Sequence, residues 1–193
     1  HGRALTFATG IKLANPKLRV LVIMGDGDAT AIGGNHFIHA ARRNIDLTAV
    51  IVNNNVYGMT GGQYSPTTPY GARASTAPYG NVEHSFGISE LAVAAGAVFV
   101  ARGSVYHTRM LDRLLRLAMK REGFSVVEVI SHCHTQFGRY NRMGSHIDML
   151  KWQRDNLVPV ELAKKKSPEE MKGKITIGIL ADRELPVFQE EYE

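Results

Sequence analysis

The sequence predicts an α/β fold, a parallel sheet flanked by helices. Three observations carry that prediction. Residues 18–24 (LRVLVIM), 47–52 and 124–130 are almost continuously apolar, as strands buried on both faces are. Segments with the apolar spacing of a helix lie between them. The two patterns alternate along the chain, the sequence order of a parallel sheet with crossover helices. At 193 residues the chain is long enough for one domain with a full-size core.

The elements follow in order. HGRALTFATGIKLANP, residues 1–16, reads as the middle of a helix, so an N-terminal part is expected to be missing. Residues 18–24 form the first strand. A helix over residues 30–43 is expected to open at a capping Thr30 and close at Arg42, Arg43 and Asn44, which suit its negative dipole end. Residues 47–52 are the second strand, parallel to the first with a right-handed crossover. Residues 53–86 are rich in Gly, Pro, Thr, Ser and Tyr and lack periodicity; a loop this long in a compact domain, with its aromatics, is expected to be ordered and functional. Residues 88–95 read as a helix ending at Gly96, and 98–101 as a short strand. Leu111, Leu114, Leu115 and Ala118 give residues 107–121 one apolar helix face. Residues 124–130 are the last strand of the pattern. Beyond Ser131 come a polar loop, a helix near residues 147–154 and a charged tail. The expected division is a cofactor-binding domain over residues 1–155, N-terminally incomplete, and a C-terminal extension over residues 156–193.

Composition narrows the function. The chain is 44% hydrophobic and 21% charged, a soluble globular balance. No run approaches the roughly 18 apolar residues of a membrane span. The net charge of +5 is scattered, with short basic runs at Arg42-Arg43 and Lys164-Lys165-Lys166. No aromatic residues interleave with them, so a solvated face is expected rather than a nucleic-acid stripe. One cysteine, Cys133, excludes an internal disulfide framework and fits a reducing, cytoplasmic compartment.

The chemistry concentrates in Gly25-Asp26-Gly27 and Asn53-Asn54, which are separated by 25 residues. Parallel strands joined by a helix end on the same edge of a sheet, where open α/β folds bind ligands. The spacing therefore brings the Asp26 and Asn54 side-chain oxygens together. Mg²⁺ takes hard oxygen ligands and commonly several from a phosphate group. Asp26, the Asn54 amide oxygen, a backbone carbonyl near Val56, two diphosphate oxygens and a water would complete its shell. Gly25 and Gly27 permit close approach of the backbone to phosphate, and the helix N-terminus near Thr30 would face it. Gly33 and Gly34 cost a helix about 1 kcal/mol each relative to Ala, which points to close packing or a ligand. Alone, GDG reads as a tight turn; the matched strands and the paired Asn turn the balance toward a site. Position 30 is Thr, so the glycines are not a dinucleotide fingerprint, and there is no P-loop.

GDG followed by NN resembles the thiamine-diphosphate motif. The longer stretches HGRALTFATGIKLANP, GDGDATAIGGNHFIHAARRN and NNNVYGMTGGQYSPTT resemble the beta subunit of the 2-oxoacid:ferredoxin oxidoreductases, most of all the 2-oxoglutarate branch. The resemblance covers residues 1–150 and is most specific through residue 68. It implies a thiamine-diphosphate-binding fold. It also implies oxidative decarboxylation of a 2-oxoacid with coenzyme A, giving acyl-CoA and CO₂ and reducing ferredoxin one electron at a time. By the same match, Asp26, Asn54 and the Val56 carbonyl are Mg²⁺ ligands, and Gly25, Gly27 and Thr60 contact diphosphate. Tyr57, Met59 and residues 61–63 shape the loop over the cofactor. The pattern usually reads Asp-Asn where this chain has Asn53-Asn54; the change is expected to be tolerated because the second position carries the metal.

Cys133 reads by itself as a buried small hydrophobe. The resemblance makes it a 4Fe-4S ligand whose remaining thiolates lie upstream of His1. His132 and His134 could share a face as zinc ligands, but no second Cys/His pair stands at ligand spacing. His36 and His39 read first as core or interface residues. His1 is expected to line the active site. No catalytic residue is assigned within the chain; the glutamate that activates the thiamine is expected on the partner alpha subunit. Two other readings remain open: a subunit of a non-oxidative thiamine-dependent decarboxylase or synthase, and a catalytically silent scaffold subunit. The closing PVFQEEYE resembles the family's last segment and is expected to pack on a neighbour.

Overall fold

Apolar and β-branched residues dominate four runs, and these pair as β1 (Leu21–Gly25), β2 (Thr48–Asn53), β3 (Phe99–Ser104) and β4 (Ser125–Ile130). In the computed structural model, which describes residues 1–192, β1 is parallel to β2, β2 to β4 and β4 to β3. The register sets Gly25 beside Val52 and Asn53 beside Ile130, so the three strand ends share one edge. The expected strand–helix–strand unit and the α/β class are therefore present.

Helices cover both faces. α1 (Ala4–Ala14), α2 (Asp26–Thr30), α3 (Gly34–Arg42) and α4 (Ile88–Ala94) precede β3 in the chain. Leu5, Ala8, Phe37, Ala40, Ile88 and Ala92 from this set pack on Val22, Met24, Ala49, Ile51 and Val126. Phe37 meets Phe124 edge-to-face, their centroids 6.0 Å apart. α5 (Thr108–Ala118) closes the other face, with Leu114 and Ala118 against Val50, Val127 and Val129. Each fully buried Leu, Ile or Phe contributes about 1.5–3 kcal/mol relative to exposure. Lys12, 4% exposed, closes α1: its ammonium donates to the carbonyls of Pro16 and Leu18 at 2.8 Å and pairs with Asp46 at 2.5 Å.

Three expectations need correction. β1 is not buried on both faces. It is an outer strand, and Leu21 and Ile23 are 43% and 69% exposed, because α5 covers the central strands. The helix expected from Thr30 is two helices: α2 begins at Asp26, residues 31–33 turn, and α3 begins at Gly34. Thr30 ends α2, its hydroxyl donating to the Asp26 carbonyl at 2.7 Å, so it caps nothing. The sheet is also not purely parallel. After a π-helical turn (His134–Gly138) and α6 (His146–Asn156), the chain forms β5 (Leu157–Pro159), α7 (Val160–Ala163), α8 (Pro168–Met171), β6 (Ile175–Asp182) and α9 (Phe188–Tyr192). β6 runs antiparallel to β3 and parallel to β5, giving six strands in the order β1-β2-β4-β3-β6-β5. Residues 157–182 thus extend the same mixed sheet. Among the described residues no helix is long and apolar enough to cross a membrane.

Candidate functional site

The site is built where β1 and β2 end. Gly25 is the last residue of β1 and Asp26 the first of α2, so Asp26 sits at a helix start with its side chain 2% exposed. Its carboxylate accepts hydrogen bonds from Ser65 Oγ at 2.6 Å and from Thr67 Oγ1. Among the described residues no Lys, Arg or His pairs with it. Burial pushes the Asp26 carboxyl above its ordinary value, although the two hydroxyls pull it down. An isolated buried carboxylate is costly unless a cation or donors meet it.

Gly27 follows, and the reason for glycine is direct. A Cβ there would lie 2.3 Å from the Tyr57 ring. Tyr57 lies on the loop after β2 and donates its hydroxyl to the Gly27 carbonyl at 3.0 Å. Burial and then the charges of Asp26 and Asp28 raise the Tyr57 hydroxyl, holding it as a neutral donor. Gly33 is equally tight: its Cβ would meet the Asp28 carbonyl at 2.3 Å and the Gly2 carbonyl at 2.9 Å. The close approach expected of Gly33 is therefore real; Gly34 has open space around it. Gly2 N–H donates to Asp28, which pins the segment beginning at His1 against this turn. The His1 side chain is 89% exposed.

β2 delivers the second half. Asn54 Oδ1 accepts the Val56 N–H at 3.2 Å, and Asn55 between them has φ of 63°, in the left-handed region. The turn carries on to Tyr57, which bridges Gln63. Thr60 is exposed at the tip and spends its hydroxyl on Gln63 at 2.6 Å. Met59 is fully exposed. Ser65, Thr67, Thr68 and Asn81 are buried, and Asn81 donates to the carbonyls of Thr68 and Glu83 at 2.8 and 3.1 Å. The long loop is held by these polar contacts.

Sequence reasoning missed Ser65, Thr67 and Asn81, which carry no periodic signal. It also missed a charged cluster inside the sheet. Glu128 on β4, 3% exposed, accepts from Asn53 Nδ2 at 2.9 Å, Ser89 Oγ at 2.5 Å and Arg102 Nε at 2.8 Å. Arg102 also forks onto Glu90 at 2.7 and 2.8 Å. Burial alone would lower the Arg102 guanidinium, but Glu128 and Glu90 outweigh it and raise it. The available signal was a charged residue inside each of two apolar strands, VVEVI and VARGS. A cavity of about 660 Å³ lies beside this cluster, lined by Asn54, Phe86, His132, Met149, Trp152 and Gln153 among others.

Cys133 is half-buried and lies against the same turn: a Cβ on Gly58 would stand 3.3 Å from its Sγ and 3.8 Å from Asn54 Nδ2. His132 and His134 stand 6.4 Å apart by ring centroids, and His134 lies 5.9 Å from His146. Burial, then His134 and His146, lower the His132 imidazole. Among the described residues no group of three His, Cys, Asp or Glu is arranged to hold a metal. His39 is exposed and accepts from Arg42 at 3.4 Å, and His36 is half-buried, so this pair does not lie in the core.

The chain matches the family described as thiamine pyrophosphate enzyme, C-terminal TPP binding domain, over residues 1–129. It is 51% identical over 191 residues to the 2-oxoglutarate synthase subunit KorB of Methanocaldococcus jannaschii, covering 99% of this chain and 71% of that protein. It is 41% identical over 186 residues to the 2-oxoacid:ferredoxin oxidoreductase subunit beta of Saccharolobus solfataricus, covering 95% of this chain and 59% of that one. A 2-oxoglutarate:ferredoxin oxidoreductase from Magnetococcus marinus, solved with 2-oxoglutarate, coenzyme A and succinyl-CoA, superposes with a TM-score of 0.85 at 34% identity. That match covers all of this chain and 66% of the other, so these 193 residues span about two thirds of such a subunit.

Proposed function

The chain belongs to the thiamine pyrophosphate enzymes, among the beta subunits of the 2-oxoacid:ferredoxin oxidoreductases, and on that premise we propose that it binds the cofactor of an enzyme oxidising 2-oxoglutarate. The reaction converts 2-oxoglutarate and coenzyme A to succinyl-CoA and CO₂, with two electrons leaving singly to ferredoxin. The observation that carries this reading is Asp26, a buried carboxylate at a strand end with hydroxyl partners and, among the described residues, no ion pair. Its oxygens, the Asn54 amide oxygen and the Val56 carbonyl are the hard donors Mg²⁺ takes, so this donor set fits a Mg²⁺-diphosphate group. Residues 1–155 contain all of them.

Thiamine diphosphate supplies the carbanion chemistry at the 2-oxo carbon; this chain binds and orients it. Gly25 leaves room for diphosphate at the start of α2, while Gly27 makes room for the Tyr57 ring. Ser65 and Thr67 hold Asp26 in one orientation. Tyr57, fastened to the Gly27 carbonyl, locks the loop after β2 onto the turn after β1. In this reading Thr60 contacts diphosphate, exchanging its bond to Gln63 for one to the cofactor. The alpha subunit supplies the glutamate that activates the aminopyrimidine, so the cofactor lies between subunits. Cys133 fits one thiolate of a 4Fe-4S cluster beside this turn. Four thiolates are the usual set and this chain supplies one, so these residues alone do not hold the cluster. The reducing chemistry suits the cytoplasm.

The test is anaerobic turnover by the full-length beta subunit purified with its alpha partner. Reduction of a viologen with 2-oxoglutarate and coenzyme A, in preference to pyruvate and branched 2-oxoacids, is the expected result. Cofactor-dependent release of CO₂ without acceptor reduction would replace this reading with a non-oxidative decarboxylase.

A further inference from the structure

Glu128 is a costly residue for its place. It lies between Val127 and Val129 in a strand flanked by two parallel neighbours, and it needs three donors from three elements to be accommodated. A buried ion pair adds little net stability over apolar residues of similar size. Its contacts point elsewhere. Ser89 and Arg102 occupy Oε2, which leaves Oε1 facing Asn53. Asn53 uses both ends of its amide: Nδ2 donates to Glu128, and Oδ1 accepts the Asn55 N–H at 3.2 Å. Asn55 is the left-handed residue of the turn, and the next bond in the chain of contacts is Val56 N–H to Asn54 Oδ1. One end of this polar chain is thus anchored in the sheet, and the other end sets the turn that carries Asn54 and the Val56 carbonyl.

We propose that Glu128, braced by Arg102 and Ser89, is a positioning residue that fixes Asn53 and through it the Asn54–Val56 turn in the shape that receives the metal-diphosphate group. The inference rests on the cofactor reading above and assigns a role to residues outside the binding motif. Groups that orient a metal ligand without touching the metal matter nearly as much as the ligands. The contact is also directional. Asn53 can donate to Glu128 and accept from Asn55 at once; an aspartate at 53 could only accept, leaving two carboxylates facing in the sheet.

That directionality gives a reciprocal test. In the assembled complex, Mg²⁺-dependent binding of thiamine diphosphate is titrated by calorimetry, without substrate, beside a melting curve for each variant. Asn53→Asp is expected to weaken binding about 10- to 100-fold. The double variant Asn53→Asp with Glu128→Gln returns a donor to the pair, now from position 128, and is expected to recover most of that loss. A merely structural role would add the two penalties. Should Asn53→Asp fail to assemble, Glu128→Gln alone carries the test, because its amide must set a donor against either Asn53 or Arg102; about fivefold weaker binding is expected. Wild-type affinity in the folded Asn53→Asp or Glu128→Gln variant, or a double variant no better than Asn53→Asp, overturns the inference. Failure of the wild-type complex itself to bind the cofactor overturns the cofactor reading instead.

Discussion

Residues 54–87 and residues 157–192 make opposite use of secondary structure. The first stretch has only two isolated bridges among its described residues, Tyr57 to Gln63 and Ala74 to Ala77. Yet it buries Ser65, Thr67, Thr68 and Asn81 and closes on Asp26. The second contains two strands and three helices, yet α7 and α8 bury no residue. Helix and strand ladders satisfy the backbone groups of a segment through regular bonds, without calling on side chains. An irregular segment must find partners for its polar groups elsewhere, and in doing so it fixes other residues in place. In this protein the irregular segment is the one that shapes the site.

The largest expected effect is at the residue the loop closes on. Asp26→Asn in the assembled complex should reduce Mg²⁺-dependent thiamine diphosphate affinity by more than about 100-fold. The same change should raise the melting temperature of the cofactor-free protein by a few degrees, since it replaces a carboxylate whose charge burial disfavours with a neutral isostere. Binding titration and scanning calorimetry on one preparation check both halves. A variant that loses stability along with binding would make Asp26 a structural part of the loop rather than a ligand the loop serves.

The same contrast explains what the sequence could and could not convey. Strand and helix alternation was legible through Ile130, and with it the placing of Asp26 and Asn54 on one sheet edge. The partners of Asp26 were not, since Ser65 and Thr67 act through tertiary contacts that leave no period. Burial of β1 was misjudged because an apolar run does not reveal whether a strand is central or at the rim; Leu21 and Ile23 lie on the face that α5 leaves uncovered. β6 did carry a signal in the alternation Ile175, Ile177, Ile179, but its charged surroundings concealed it. Glu128 and Arg102 were visible as charges within apolar strands, and only the pairing across β3 and β4 turned them into a cluster.

A middle-sized effect is expected at Asn81, which ties the far end of the loop to its near end. Its side chain makes three hydrogen bonds, two donated to Thr68 and Glu83 carbonyls and one accepted from the Glu83 N–H at 3.1 Å. Asn81→Ala leaves two of those carbonyls without their amide partner and should destabilise the loop by about 2 kcal/mol. Hydrogen exchange would show protection falling across residues 54–87 with β2 and β4 unchanged. Weakened cofactor binding should accompany it, because Asn81 is two bonds from the turn: it holds Thr68, whose hydroxyl donates to the Asn55 carbonyl at 2.7 Å.

The smallest effect belongs to the tail. Ser167 caps α8, accepting the Glu170 N–H at 3.3 Å while Glu170 returns a bond from the Ser167 N–H at 2.9 Å. That reciprocal box is a complete local solution to a helix start. Ser167→Ala removes half of it, but α8 buries no residue fully, so the loss stays local. The expected shift in melting temperature is below about 2 °C, with thiamine diphosphate affinity unchanged. Measured beside Asn81→Ala, it sharpens the contrast: both remove a polar side chain that holds its own segment, but only the loop bonds directly to the turn after β2. If Ser167→Ala lowered affinity as Asn81→Ala does, α8 would have to be acting on the site through β6, whose Thr176 carbonyl accepts from Arg102 at 3.4 Å. The tail's regular elements would then be serving the same purpose as the loop's irregular ones.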